Sequence, residues 1–592
     1  MAKKMAIHWD LKELHTTLSV DETQPLLDDL EQQVMAFSST YKGRVAGLSS
    51  KDIYSALVAY DELRAGIYKI SQFAHLNYSV DMKDPDVLRF VSWVDEWTST
   101  MGNTLLFFFL EIGAISDNQR TQWLAFEPNS VYAYSIQSAM NKHPYRLSES
   151  EEQWINLKDL NGCDALRKLY GEHTAQYVFN VVIDGEEISL NGAECRALRY
   201  HEDPSVRREA MALFLNQYKQ DEHIMVHVFN SVIKDANIER QKRGYKHPMD
   251  PMNRHNDLPD DLVALLHRVT TESNTLVQEY YGLKKKMLGL DHMTLADIYA
   301  PITKNEPKMP WDEAKALVLD SFAQFDDEFY RFADDMFRRD RLDVFPSKTK
   351  RGGAFCSSSS PDVRPYVMLN YLGKKRDVAT LAHELGHAIH AYYSSKQPLL
   401  NYHAILPICE TASVFCEMIV MDALKKGAQT KAEKITLLST QLEDIFATSH
   451  RQNMFSRFEQ SMHEKITHQR LSGDELSNMY ANELQHLFGT SVSIPPEYHW
   501  EWATIPHMLD VPFYVYSYNF GNLLVFGLYQ LYLDEGVKMI PKLKRILEGG
   551  SSKSPVQLLG DEGIDILDPA FWGRSITCIE SVLNELTSLV RS

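Results

Sequence analysis

The sequence predicts a mostly α-helical body with one small β-sheet beside a central helix. Three observations carry this. Apolar residues recur at three- and four-residue steps along most of the chain, proline- and glycine-rich breaks are few, and only two short stretches have the character of strands. At 592 residues, 44% hydrophobic and 24% charged, the chain can bury a large core. No internal repeat or low-complexity tract interrupts it.

In chain order, about Leu11 to Ser116 reads as helical scaffold. Ser49-Ser50-Lys51-Asp52 marks a helix start before Ile53, Leu57 and Tyr60, and Phe107, Phe108 and Phe109 are core residues. Helices continue to about residue 200, interrupted by Val181 to Ile188, where Asp184-Gly185 predicts a hairpin turn. Asp203 to about Arg243 reads as one long helix. A break from Gly244 to Pro259 contains His247 and His255, loop histidines with no assigned role. Leu262, Leu265, Leu266 and Val269 then give the next helix, from about Asp260, a buried face. After the prolines 301, 307 and 310, Asp312 to Arg339 reads as another single helix, its carboxylates Asp326, Asp327, Glu328, Asp334 and Asp335 forming a solvated face.

Gly352 and Gly353 allow close backbone approach, Ala354 follows them, and Tyr366 to Leu372 reads as a strand. A sheet near 352 to 372, running directly into the next helix, offers an edge along which an extended chain can pair.

That helix contains His383-Glu384-Leu385-Gly386-His387. The four-residue step puts both imidazoles on one face, about 40° apart, where their nitrogens can reach one ion. Glu384 lies about 100° round from His383, placed to take a proton from a water. Asp377 is a plausible N-cap, and Leu381, Leu385 and Ile389 supply the packing face. A catalytic zinc site wants one more protein ligand and an open position. Glu410 and Glu417, seven residues apart and so on one helix face, can each supply it, with Cys409, Cys416, His390 and His403 as competitors.

The formal charge of −19 argues against a nucleic-acid backbone or an anionic membrane as the main partner. Six cysteines without CxxC spacing fit a reducing compartment. The N-terminus, with Lys3 and Lys4, lacks the apolar core of a signal peptide, and the longest apolar run, Leu105 to Leu110, is far short of a membrane span. These features predict a cytoplasmic protein.

His383-Glu384-Leu385-Gly386-His387 followed 23 residues later by Glu410 resembles the oligoendopeptidase F and thimet oligopeptidase group of zinc metallopeptidases. The resemblance implies Glu410 as third ligand of one Zn²⁺ per chain, with Glu417 behind a ligating histidine. It also implies His507 and a following tyrosine as donors to the oxyanion. Of Tyr514, Tyr516 and Tyr518, the flanking small and apolar residues favour Tyr518, with Tyr516 in reserve for that role and otherwise a substrate contact; a second tyrosine three residues earlier falls instead on Val515. Gly353 and Ala354 would line the substrate. The implied layout is an N-terminal helical region, 1–200, and a catalytic domain, 201–592, with a deep cleft admitting short unfolded oligopeptides. The implied activity is hydrolysis of internal peptide bonds, with Glu384 as general base. A zinc carboxypeptidase or dipeptidase of similar architecture, and a non-catalytic peptide-binding protein stabilised by its metal, are the alternatives.

Overall fold

The computed structural model describes residues 7–303 and 307–592. The N-terminal lysines and residues 304–306 of the proline-marked break lie outside the described residues. The chain is 72% helical. It divides into two compact units of interleaved segments: one from Met1–Pro144, Pro307–Gly427 and Leu531–Asp565, the other from Tyr145–Glu306, Ala428–Gln530 and Ile566–Ser592. The expected border near residue 200 falls inside the second unit. No single helix among the described residues is long and apolar enough to cross a membrane.

The helices that matter for the site are α1 (Ser50–Val80), α2 (Pro204–Gln220), α3 (Glu222–Lys242), α4 (Asp260–Glu272), α5 (Trp311–Phe325), α6 (Asp327–Arg338), α7 (Lys375–Ser394), α8 (Thr411–Gly427), α9 (His450–His468) and α10 (Tyr516–Glu535). The strands are β1 (Val178–Ile183), β2 (Glu186–Asn191), β3 (Leu342–Asp343), β4 (Phe355–Ser357) and β5 (Tyr366–Met368).

In the first unit, α1 starts where its cap predicts: the Ser49 hydroxyl accepts the Asp52 N–H. Ile53 and Leu57 are buried, and Phe108 stacks on Tyr60 at 5.2 Å. The segment from 311 to 338 is two helices rather than one. Asp326 is extended (φ −161°) and its carboxylate caps α6 through the N–H groups of Glu328 and Phe329. Asp326 and Glu328 are not a free solvated face either. Lys544 bridges them at 2.8 and 2.9 Å, and Glu328 accepts the Tyr393 hydroxyl from the last turn of α7. Asp334 and Asp335 pair outward with Arg338 and Arg339.

The sheet has the order β3-β5-β4, parallel between β3 and β5 and antiparallel between β5 and β4. The strand at Tyr366 ends at Met368, earlier than expected, because its partner β3 is only two residues long. The Asn370 side-chain amide then donates to the carbonyls of Arg351 and Gly353. This leaves β4 as an edge strand.

In the second unit, β1 and β2 form the predicted hairpin, with Asp184 and Gly185 both at positive φ (53° and 84°), the geometry of a tight primed turn. The helix expected over 203–243 breaks at Asp221. Its carboxylate accepts hydrogen bonds from Tyr177 and Gln217 and pairs with His173, which holds the joint between α2 and α3. Helix α4 buries Leu262, Leu265 and Leu266, with Val269 half-buried. His247 and His255 are exposed.

Candidate metal centre and active site

Helix α7 buries Leu381, Leu385 and Ile389 completely, which turns His383 and His387 to the opposite side. Asp377 is not the N-cap residue of this helix, a place taken by Lys374, but caps it from the third helical position. It lies in the first turn, where its carboxylate accepts the N–H groups of Leu372 and Lys374 and ties the end of the sheet segment to the helix start. Gly386, between the histidines, faces the start of α8, and that close approach delivers Glu410.

The Nε2 atoms of His383 and His387 each lie 3.4 Å from Glu410 Oε2, and the three ligand atoms are all within 4.8 Å of one another. With zinc–nitrogen and zinc–oxygen bonds of about 2.1 Å, the edge of a tetrahedron is about 3.4 Å, so the spacing and the two-nitrogen, one-oxygen donor set both suit zinc. The residues around these ligands fix them. Glu417 Oε2 accepts from His383 Nδ1 at 3.2 Å, and the Cys409 carbonyl accepts from the His387 ring. Ser413 donates its hydroxyl to Glu410 Oε2 at 2.6 Å. Such partners set the ring tautomer and orientation of a metal ligand.

Electrostatics follow from burial against crowded carboxylates. Burial opposes charge on His383, yet Glu417, Glu410 and Glu384 outweigh it and lift the ring to about 9. Burial dominates at His387, which is lowered. At Glu410 burial is overcome by the two histidines and Ser413, so its carboxyl is lowered. Glu384, 7% exposed, is pushed up to about 7 by burial, against His383 and the backbone N–H of Cys356 on β4. A carboxyl in that range can both accept and return a proton near neutral pH.

A cavity of about 390 Å³ opens on these groups. Its walls include His383, Glu384, His387 and His390 from α7, with Ala354, Phe355 and Cys356 from the sheet edge. Ala354 is thus beside the candidate metal centre, and Gly353, with φ +83°, makes the turn before it. His390, His403, Cys409 and Cys416, the competing ligands, are outside the three-residue cluster. No disulfide joins the cysteines among the described residues.

The second unit brings together His507, Tyr514 and Tyr518. The tyrosine rings are 5.2 Å apart, edge to face, and the His507 ring lies 6.5 Å from each. The tyrosine beside Tyr518 is therefore four residues back rather than three, while Val515 is buried. Tyr516 is a correction. It is 0% exposed, and its hydroxyl accepts from the Asn256 side chain, so it cannot touch substrate. Ser413, Cys409 as a carbonyl acceptor, and Cys356 as an N–H donor were missed by reading the sequence. Only Ser413 left a signal, since it follows Glu410 at the three-residue step that puts two side chains on one helix face.

The model of "Peptidase family M3" matches residues 197–577, well over half of the chain. The chain belongs to peptidase family M3. It is a metalloendopeptidase of mostly α fold, and the family implies a metal. Relatives include oligopeptidase PepF of Bacillus subtilis, 26% identical over 93% of this chain and 83% of that protein. An oligoendopeptidase F homolog of Borreliella burgdorferi is 26% identical over 90% of each. Among solved structures, a Chlamydophila abortus chain superposes with a TM-score of 0.88 at 23% identity, covering 98% of both chains. Oligoendopeptidase-F from Enterococcus faecium gives 0.72 at 22% identity, covering 96% of this chain and 99% of its own. At these identities the structures speak for the fold.

Proposed function

We propose that this M3 peptidase is a zinc-dependent endopeptidase that cuts internal bonds of short, unfolded oligopeptides, with Glu384 as general base. The observation that carries the reading is the convergence of His383, His387 and Glu410 with the buried Glu384 carboxyl beside them. Those three side chains would hold the zinc, and zinc there supplies Lewis acidity, lowering the pKa of water and polarising the substrate carbonyl.

Glu384 takes a proton from the attacking water as its oxygen bonds to the carbonyl carbon, and returns it to the leaving amine nitrogen as the C–N bond breaks. His507 and the Tyr518 hydroxyl donate hydrogen bonds to the oxyanion, where the charge is greatest in the transition state. Glu417 and Cys409 hold the imidazoles of His383 and His387 in orientation. Ala354, ahead of the β4 edge, lies against the extended substrate, with Gly353 giving it backbone room. The six scattered cysteines without CxxC spacing and the charge of −19 support a cytoplasmic setting.

The test is cleavage of an internally quenched peptide of about ten residues, before and after chelation and with zinc restored. Cleavage that disappears and returns with zinc, in a peptide blocked at both ends, is expected. Cleavage only next to a free C-terminus would make the enzyme a carboxypeptidase. Glu384→Gln should retain zinc while kcat falls by about 10²- to 10⁴-fold, and unchanged turnover would remove Glu384 from its role.

A further inference from the structure

Four non-glycine residues have positive φ among the described residues. Three are aspartates, which tolerate the left-handed region; the fourth is Phe513, at φ 62°. A bulky residue stays in that conformation only where its surroundings hold it, and such residues gather at functional sites.

The hold comes from α9. The Phe513 N–H donates to Glu459 Oε1 at 2.8 Å, and the Phe513 ring, 1% exposed, packs 4.7 Å from the His463 ring one helical turn on. Glu459 is itself 1% exposed, and its other oxygen, Oε2, has no hydrogen-bond partner. The His463 Nε2 atom lies 4.0 Å from Oε1. Burial pushes this carboxyl up to about 8. An acid so placed adds little to stability, since an apolar side chain would fill the space without the cost of a half-satisfied polar group. What Glu459 does offer is an acceptor for one backbone N–H, at the residue where the chain reverses.

That reversal joins His507 to the tyrosines. After Phe513 the chain turns back, with Tyr514 N–H bonded to the Val511 carbonyl and Ser517 N–H to the Tyr514 carbonyl, and the rings of Tyr514 and Tyr518 meet His507. We propose that Glu459 is a positioning residue for the reaction: by accepting the Phe513 N–H it holds the left-handed turn that sets Tyr514 and Tyr518 against His507. The proposal rests on the reading of His507 and Tyr518 as oxyanion donors.

The experiment measures kcat and KM of the zinc-loaded enzyme on the quenched peptide. Glu459→Gln keeps an uncharged acceptor oxygen and should stay within about twofold of the parent kcat. Glu459→Leu removes the acceptor and Glu459→Asp draws it back by a methylene. Both should lower kcat about tenfold or more, with KM and zinc content unchanged. In a Tyr518→Phe background the Glu459→Leu loss should shrink to under about threefold, because both changes act through one group. If Glu459→Leu does not fold, Glu459→Asp carries the same comparison. Full kcat in the folded Asp and Leu variants overturns the proposal, as does a Gln variant as poor as Leu, or losses that simply multiply in the Tyr518→Phe background. If His507→Ala and Tyr518→Phe by themselves leave kcat unchanged, the oxyanion reading has failed, a result reached without any Glu459 variant, and the proposal falls with it.

Discussion

A β-carbon on Gly386 would stand 2.5 Å from Ser413 Cα and 2.6 Å from the Ala412 carbonyl oxygen. These contacts are backbone, so nothing flexible can move aside. The glycine between the two histidines therefore lets α8 approach α7 closely enough for Glu410 to reach the imidazoles. Gly386→Ala should push the helices apart, cost about 1–3 kcal/mol of stability, and lower zinc affinity because Glu410 moves out of range. Zinc titration of the folded variant checks this; parental affinity would show that the close approach does not govern the ligand.

Ser413 acts on the same ligand from within its own helix. With its hydroxyl 2.6 Å from Glu410 Oε2, it fixes one carboxylate oxygen and leaves the rotamer little freedom. Ser413→Ala should weaken zinc binding by about 10- to 100-fold, the usual effect of losing a partner of a metal ligand. Activity should then return with excess zinc. A kcat deficit that persists at saturating zinc would place Ser413 in the chemistry instead.

The metal motif was legible because a four-residue step on a helix is a local geometric fact, and the hairpin because Asp184-Gly185 tolerates positive φ with few alternatives. The helix breaks at Asp221 and Asp326 were not legible. An aspartate in a polar-apolar pattern reads as helix surface, and only distant partners, Tyr177 and His173 for one and Lys544 for the other, give each a reason to stop the helix. Glu459 was hidden for the same reason, since what it binds is a backbone N–H 54 residues away.

Tyr516 and Tyr518 lie two residues apart at the start of α10, and a helix turns them to different sides. Tyr516 is sealed in the second unit with its hydroxyl on Asn256, whereas Tyr518 is 36% exposed beside Tyr514 and His507. Tyr516→Phe should cost about 1 kcal/mol of stability, from one buried hydrogen bond, and leave kcat unchanged. Tyr518→Phe should lower kcat by about 10²-fold, the effect of losing one oxyanion donor. Thermal midpoints and kcat for the pair check both, and the reverse pattern would reassign the tyrosines.

Asp61 gives the first unit a pH dependence unrelated to the metal. It is 8% exposed, and burial pushes its carboxyl up to about 6, although the Tyr132 hydroxyl and the backbone N–H of Leu400 both favour its charged form. Because the folded value lies above the unfolded value of 3.8, the folded state holds more protons between the two. Its favourable contribution is therefore full below about pH 4 and is lost as pH rises through about 6. The loss is on the order of 3 kcal/mol. In Asp61→Asn, the amide oxygen can still accept from Leu400 and the amide nitrogen can donate to the Tyr132 oxygen, so both contacts have a replacement and the titration is gone. Denaturant midpoints of the transition that unfolds the first unit, taken from pH 4 to 7, should show the variant gaining steadily on the parent and levelling off above pH 6. A difference that does not change with pH would mean that Asp61 is charged throughout this range in the folded protein.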